Sequence, residues 1–187
     1  MVLPQTNSLV VIDIETSGLN PFMHEPLALG IVPVSQAVSP FQIYIRPPSI
    51  NWTDYAKGVF SGYADAWERE AVSPTLALER ASEYLRSLST SGLATPVGHN
   101  VGFDVAFLRK LAFLAGKEEV AELSHRAIDT HTILYMLYLK GLLPREALSS
   151  DGAFRHFDVK PTNGDRHTAL GDALATRELL LKALSLL

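Results

Sequence analysis

The chain has 187 residues, 47% of them apolar and 19% charged, a size and balance that fit one compact core and exclude a disordered segment. It holds no cysteine, which rules out disulfides, thiol nucleophiles, thiolate zinc sites and iron–sulfur clusters and leaves carboxylates, imidazoles and hydroxyls as the reactive groups. Lys and Arg number 16 against 20 Asp and Glu, a formal charge of −4 without a run of one sign, so any contact with nucleic acid has to be local rather than broad phosphate neutralisation.

Residues 9 to 14, Leu-Val-Val-Ile-Asp-Ile, form a β-branched apolar run closed by Thr16-Ser17-Gly18 and predict a buried strand. Leu27 to Val34, with Pro33 near its end, and Phe41 to Arg46, closed by Pro47-Pro48, predict two more strands in a meander. From Ser49 to Val72 the periodicity is poor, which predicts a loop region with one short helix. Ser73-Pro74 then supplies an N-cap and a proline at the first helical position, and Leu78, Ala81, Leu85 and Leu88 continue an amphipathic helix toward Gly92.

Thr95 to Gly98 predicts a strand, and Phe103 to Ala115 a helix stopped by Gly116, with Leu108, Leu111 and Ala115 on its core stripe. Arg126 to Asp129 predicts a short strand, Thr130 to Leu139 a helix ended by Gly141, and Thr168 to Leu187 a long final helix with a Glu178–Lys182 pair. Neither a repeat nor a linker divides the chain, so one domain over residues 1–187 is expected. No stretch approaches roughly 18 apolar residues, and the opening MVLPQTNSLVVIDIE lacks a basic n-region and a small-residue cleavage site; a cytoplasmic protein with no membrane contact is expected.

Asp13 and Glu15 are two apart in the first strand, so both leave one face while Ile12 and Ile14 leave the other. They are either a site or a solvated strand end. Asp104 falls at the start of the core-facing stripe of its helix, where it is either a first-turn aspartate favoured by the helix dipole or a member of that site. Asp172 shares a face of the last helix with Ala169, Thr176, Leu179 and Ala183; an aspartate among small apolar neighbours is disfavoured by propensity and desolvation, so a group outside the helix is expected to compensate it. Were the four acids to converge, each pair near 4 Å would repel by about 4 kcal/mol at an effective dielectric near 20, and two divalent cations would balance them. An all-oxygen ligand set selects Mg²⁺ or Mn²⁺ over zinc.

The ordered segments Ile12-Asp13-Ile14-Glu15-Thr16-Ser17-Gly18-Leu19, Gly98-His99-Asn100-Val101-Gly102-Phe103-Asp104 and His167-Thr168-Ala169-Leu170-Gly171-Asp172 resemble the motifs of the DnaQ-like 3′–5′ exonucleases of the DEDDh type, over about residues 8 to 184. Ile128-Asp129-Thr130 is also similar to a segment that recurs between the second and third motifs. The resemblance implies an α/β, ribonuclease H-like three-layer fold with a mixed central sheet flanked by helices. It implies that Asp13, Glu15, Asp104 and Asp172 are catalytic and hold two metal ions, Mg²⁺ or Mn²⁺, with His167 as general base. The implied reaction is metal-dependent hydrolysis of the terminal phosphodiester of single-stranded DNA or RNA 3′ ends to 5′-mononucleotides.

Thr16, Leu19, Asn100, Phe103 and Arg166 are the implied substrate contacts: Thr16 on the terminal sugar, Leu19 wedged against the last base, Arg166 beside His167 near phosphate, and Asn100 also suited to holding the Asp104 loop. A homodimer is expected by analogy only. Two departures stand out. Ala28-Leu29 occupies a place where relatives commonly carry an acid and isoleucine, and Asp54 to Trp67 lacks the His-Gly-Ile type segment that borders the cleft in relatives. Among the aromatics of that region, Tyr55, Phe60 and Tyr63 are candidates for stacking on bases, while Trp52 and Trp67 are expected to fill core. Arg109, Lys110, Arg155 and Lys160 read as surface charges. The alternative from a different class is a non-catalytic nucleic-acid-binding module that keeps the fold; the retained acids and His167 argue against it.

Overall fold

The computed structural model describes residues 9–35, 38–88, 92–161 and 167–187, so Arg166 lies outside the described residues. Strand β1 (Leu9–Thr16) is the centre of the sheet, and its alternation decides what each layer contains. Val10, Ile12 and Ile14 point to one face, Val11, Asp13 and Glu15 to the other. β2 (Pro26–Pro33) runs antiparallel to β1 with Val11 opposite Val32, Asp13 opposite Gly30 and Glu15 opposite Ala28, and β3 (Phe41–Tyr44) is antiparallel to β2. On the far side β4 (Thr95–Gly98) is parallel to β1, and β5 (Ile128–Asp129) is parallel to β4. The order β3-β2-β1-β4-β5 is the mixed sheet with the expected opening meander.

Among the described residues the helices are α1 (Asp54–Phe60), α2 (Ala64–Glu70), α3 (Pro74–Leu88), α4 (Gly102–Leu114), α5 (Thr130–Leu139), α6 (Ser150–His156) and α7 (Ala169–Leu184). Helices α3 and α4 cover one face, burying Ala77, Leu85, Phe107 and Leu111 against Val10, Ile12, Ile14, Leu29 and Ile31. Ala173 and Leu180 of α7 cover the other face at Val11, Val32 and Val97. Outside α7, Leu134, Leu137 and Phe154 of α5 and α6 pack on Leu179 and Ala183. This is a three-layer α/β fold of the ribonuclease H-like kind, held mainly by apolar burial on both faces of the sheet.

Local signals set the helix ends. The Ser73 hydroxyl accepts the Leu76 N–H at 3.3 Å ahead of Pro74, as the sequence predicts. Gly116 and Gly141 both take φ of 72°, and the N–H groups of Lys117 and Leu142 reach back to the carbonyls of Ala112 and Leu137, closing α4 and α5. The Glu178–Lys182 pair forms at 2.8 Å.

Residues 49–72 depart from the expectation of one short helix, since both α1 and α2 form there. Each has only seven residues, too few for a face to repeat. Thr53 caps α1 by accepting the Ala56 N–H at 3.2 Å, and Trp67 anchors α2 by donating its indole N–H to the Ile45 carbonyl at 2.9 Å. Trp67 and Tyr63 are buried and Trp52 is half-buried against Phe60, so of these aromatics Tyr55 stands furthest into solvent. The sequence reading assigned no element to residues 142–161, where a 3₁₀ turn (Arg145–Leu148) and α6 form. Among the described residues no helix is long and apolar enough to cross a membrane.

Candidate active site

Asp13 and Glu15 lie where the apolar part of β1 ends on the α7 side of the sheet. Their opposite numbers in β2 are the small residues Gly30 and Ala28, so the sheet surface is low there. Helix α7 descends into that depression. A Cβ placed on Gly30 would lie 2.4 Å from the Ala169 carbonyl oxygen, a distance real side chains do not tolerate. Thr168 caps the helix, its hydroxyl accepting the Gly171 N–H at 3.2 Å. One turn on, Asp172 is brought to the two strand acids, and carboxylate oxygens of Asp13, Glu15 and Asp172 all lie within 4.8 Å of one another. Three carboxylates at that spacing form a group able to hold a metal ion.

Asp104 approaches from the opposite layer. The β1–β4 pairing is made at Leu9, Val10 and Val11 and goes no further, so the β4-facing edge of β1 beyond it has no strand neighbour. Asp104, in the first turn of α4, takes that place by accepting the Ile14 N–H at 3.0 Å. The opening of two neighbouring strands at their carboxyl ends is the usual location of sites in α/β sheets. Burial pushes the Asp104 carboxyl up to about 8, opposed by the N–H groups of Ile14 and of Asp104 itself, with Glu15 and Asp129 raising it further. Asp104 thus feels the charge of Glu15 without being among the oxygens that meet within 4.8 Å.

A cavity of about 400 Å³ opens beside these acids, lined by Asp13, Glu15, Asp172 and His167. His167 is exposed, immediately precedes the cap of α7 and has φ of 63°, a left-handed conformation that histidine adopts more readily than most residues. Thr16, Leu19 and Phe103 line the cavity as well, Leu19 with 77% of its surface exposed. The Thr16 hydroxyl donates to the Gly18 carbonyl at 2.7 Å and keeps its lone pairs for an incoming donor. Thr53, the cap of α1, and Tyr55, Ala56 and Val59 of that helix also line the cavity.

Of the sequence-predicted site residues, the structure brings Asp13, Glu15, Asp172, His167, Thr16, Leu19 and Phe103 to this cavity. Asn100 does not line it. Its backbone has φ of 62° and its N–H donates to Asp129 at 2.9 Å, the same carboxylate oxygen that caps α5 through the His131 N–H. Asn100 thus holds the turn ahead of Asp104. Lys110 is not an ordinary surface charge, being largely buried with its Nζ 3.5 Å from Glu25. The α1 wall was missed apart from Tyr55, and the signal for it was the Thr53 cap, overlooked because the helix is short.

The sequence profile of the exonuclease family matches residues 10–180. No curated protein matches the chain. Among solved structures, the zinc-bound E. coli Exonuclease I complex with single-stranded DNA superposes with a TM-score of 0.77 over 95% of this chain and 40% of that one, at 15% identity. E. coli Exonuclease I with a dT13 oligonucleotide gives 0.73 over 94% and 40%, at 15% identity. The nuclease domain of 3′hExo, a DEDDh family member bound to rAMP, gives 0.74 over 95% of this chain and 91% of that one, at 18% identity. The chain spans 40% of the length of the Exonuclease I chain it matches. With the profile covering residues 10–180 and Asp13, Glu15 and Asp172 gathered beside one cavity, the chain belongs to the exonuclease family, and its fold is that of the DEDDh member 3′hExo.

Proposed function

We propose that the protein removes nucleotides from the 3′ end of single-stranded DNA or RNA, hydrolysing the terminal phosphodiester and releasing 5′-mononucleotides. The observation that carries this reading is the meeting of Asp13, Glu15 and Asp172 within 4.8 Å at a cavity that His167 also lines. An oxygen-only donor set of this kind suits Mg²⁺ or Mn²⁺. With Asp104 as the fourth acid, the set balances two such ions. When bound, the ions would supply Lewis acidity toward the phosphate and lower the pKa of the attacking water.

The chain's own residues do the rest. Asp13, Glu15, Asp172 and Asp104 fix the positions of the ions. His167 accepts the proton that the attacking water gives up. As the new P–O bond forms, the bond to the 3′ oxygen of the penultimate nucleotide breaks, so the phosphate leaves with the terminal nucleotide. Thr16 receives the terminal sugar, Leu19, Tyr55 and Phe103 contact the last base, and Arg166 contacts phosphate. The Exonuclease I complex with single-stranded DNA and the 3′hExo complex with rAMP support an unpaired end as substrate and leave both sugars open.

The test is incubation of 5′-labelled single-stranded DNA and RNA of matched sequence with Mg²⁺, Mn²⁺ or EDTA. A ladder shortening from the 3′ end is expected with either metal and none in EDTA. Asp13→Asn and Asp172→Asn abolish it, and His167→Ala slows it by roughly 10²–10⁴, the usual worth of general acid–base help. Internal cutting, or an undiminished rate in Asp172→Asn, contradicts the reading.

A further inference from the structure

We infer that the loop between β1 and β2 is a stacking platform for bases upstream of the 3′-terminal nucleotide, with Phe22 and Met23 as its contact residues; this rests on the exonuclease reading and extends it along the strand. The loop is a fixed object. Ser17 closes its base, donating its N–H to the Glu25 carbonyl at 2.9 Å and accepting the Glu25 N–H on its hydroxyl at 2.9 Å. The Asn20 carbonyl accepts the N–H groups of Met23 at 2.9 Å and His24 at 2.8 Å, while its side chain accepts that of Phe22 at 3.0 Å. The Asn20 N–H in turn donates to His24 Nδ1 at 3.0 Å. The His24 ring is buried under Gly18, where an added Cβ would lie 2.6 Å from it.

Despite this internal order, Phe22 is 91% and Met23 56% exposed. A rigid backbone that holds large apolar side chains out in water, beside a cavity, marks an interaction surface. Leu19 provides the continuity, since it lines the cavity and belongs to the same loop. Phe22 is three residues further on, at most about 11 Å away along the chain. Residues 18–24, Gly-Leu-Asn-Pro-Phe-Met-His, include no Lys, Arg, Asp or Glu, so the platform offers faces for bases and nothing to neutralise phosphates. Recognition of that kind tolerates any base sequence.

The test compares the parent chain with Phe22→Ala/Met23→Ala and Phe22→Trp, binding 5′-labelled thymidine dinucleotide and octanucleotide in Ca²⁺, an oxygen-seeking cation suited to the acids. The double variant is expected to weaken the octanucleotide about five- to a hundredfold more than the dinucleotide, the range that loss of base stacking gives. The slope of log Kd against log salt stays as in the parent. Phe22→Trp keeps the parent's affinity, and its added indole emission is quenched by the octanucleotide. Equal weakening at both lengths, a changed salt slope, or no quenching overturns the platform. So does a shift in sedimentation of the free variant with oligonucleotide affinity unchanged, which would make the patch a protein interface. Because binding is read without turnover, length-dependent binding with no 3′ ladder refutes the exonuclease reading alone.

Discussion

Gly30 stands directly opposite Asp13 across the β1–β2 ladder, and the room left by its absent side chain holds the Ala169 backbone at the start of α7. The close approach brings Asp172 to the strand acids. Gly30→Ala would put a Cβ 2.4 Å from a carbonyl oxygen, which cannot swing aside as a flexible side chain can. The expected cost is about 1–3 kcal/mol in urea unfolding, the usual size of an overpacking penalty. Because α7 must rise off the sheet, Mn²⁺ binding should weaken by at least about tenfold, equivalent to roughly 1.4 kcal/mol. Unfolding curves and a Mn²⁺ titration of the variant check both effects, and unaltered Mn²⁺ affinity would mean that Gly30 does not set the approach.

The carboxyl of Asp104, pushed up to about 8 from an ordinary 3.8 chiefly by burial, gives the metal-free protein a defined pH dependence. Between these values the folded state keeps a proton that the unfolded chain has released. The stabilisation from this group is complete below about pH 4 and is lost as pH rises through 8. Thermal unfolding in EDTA from pH 5 to 9 should therefore show a falling Tm with rising pH, and the fall should be smaller in Asp104→Asn, whose amide oxygen can still accept the Ile14 N–H. A parent and variant with parallel profiles would contradict the assignment.

Lys110 and Glu25 link α4 to the base of the β1–β2 loop through a 3.5 Å ion pair, with only 17% and 12% of their side chains exposed. Lys110→Met removes the charge that Glu25 faces in a poorly hydrated place. A loss of about 1–3 kcal/mol in unfolding free energy is expected. Adding Glu25→Gln should recover part of it, since a neutral amide costs less to bury than a carboxylate. Strictly additive losses in the double variant would show that the two side chains are not coupled.

The sequence makes some of this arrangement legible and hides the rest for physical reasons. Asp13 and Glu15 can be assigned to one face because strand periodicity is strict, and Asp172 is conspicuous because a helix face of small apolar residues gives an aspartate no reason to be there. The bond between Asp104 and the Ile14 N–H is not legible, because it depends on where β1 and β4 part, a property of the paired strands. Gly30 reads as an ordinary strand glycine until α7 is laid across it. Helix α1, which supplies the wall bearing Tyr55 and Val59, spans seven residues and is fixed by a cap and by neighbours, so periodicity has too little length to reveal it.

On the proposed reading, acids distant in the chain are held together at the site by bound divalent cations. Anomalous scattering from crystals soaked in Mn²⁺ with a nucleoside 5′-monophosphate decides whether the ions are there. A peak is expected enclosed by the carboxylates of Asp13, Glu15 and Asp172, with a second on the Asp13 and Asp104 side. An anomalous map empty among those side chains, with the nucleotide present, would contradict that reading.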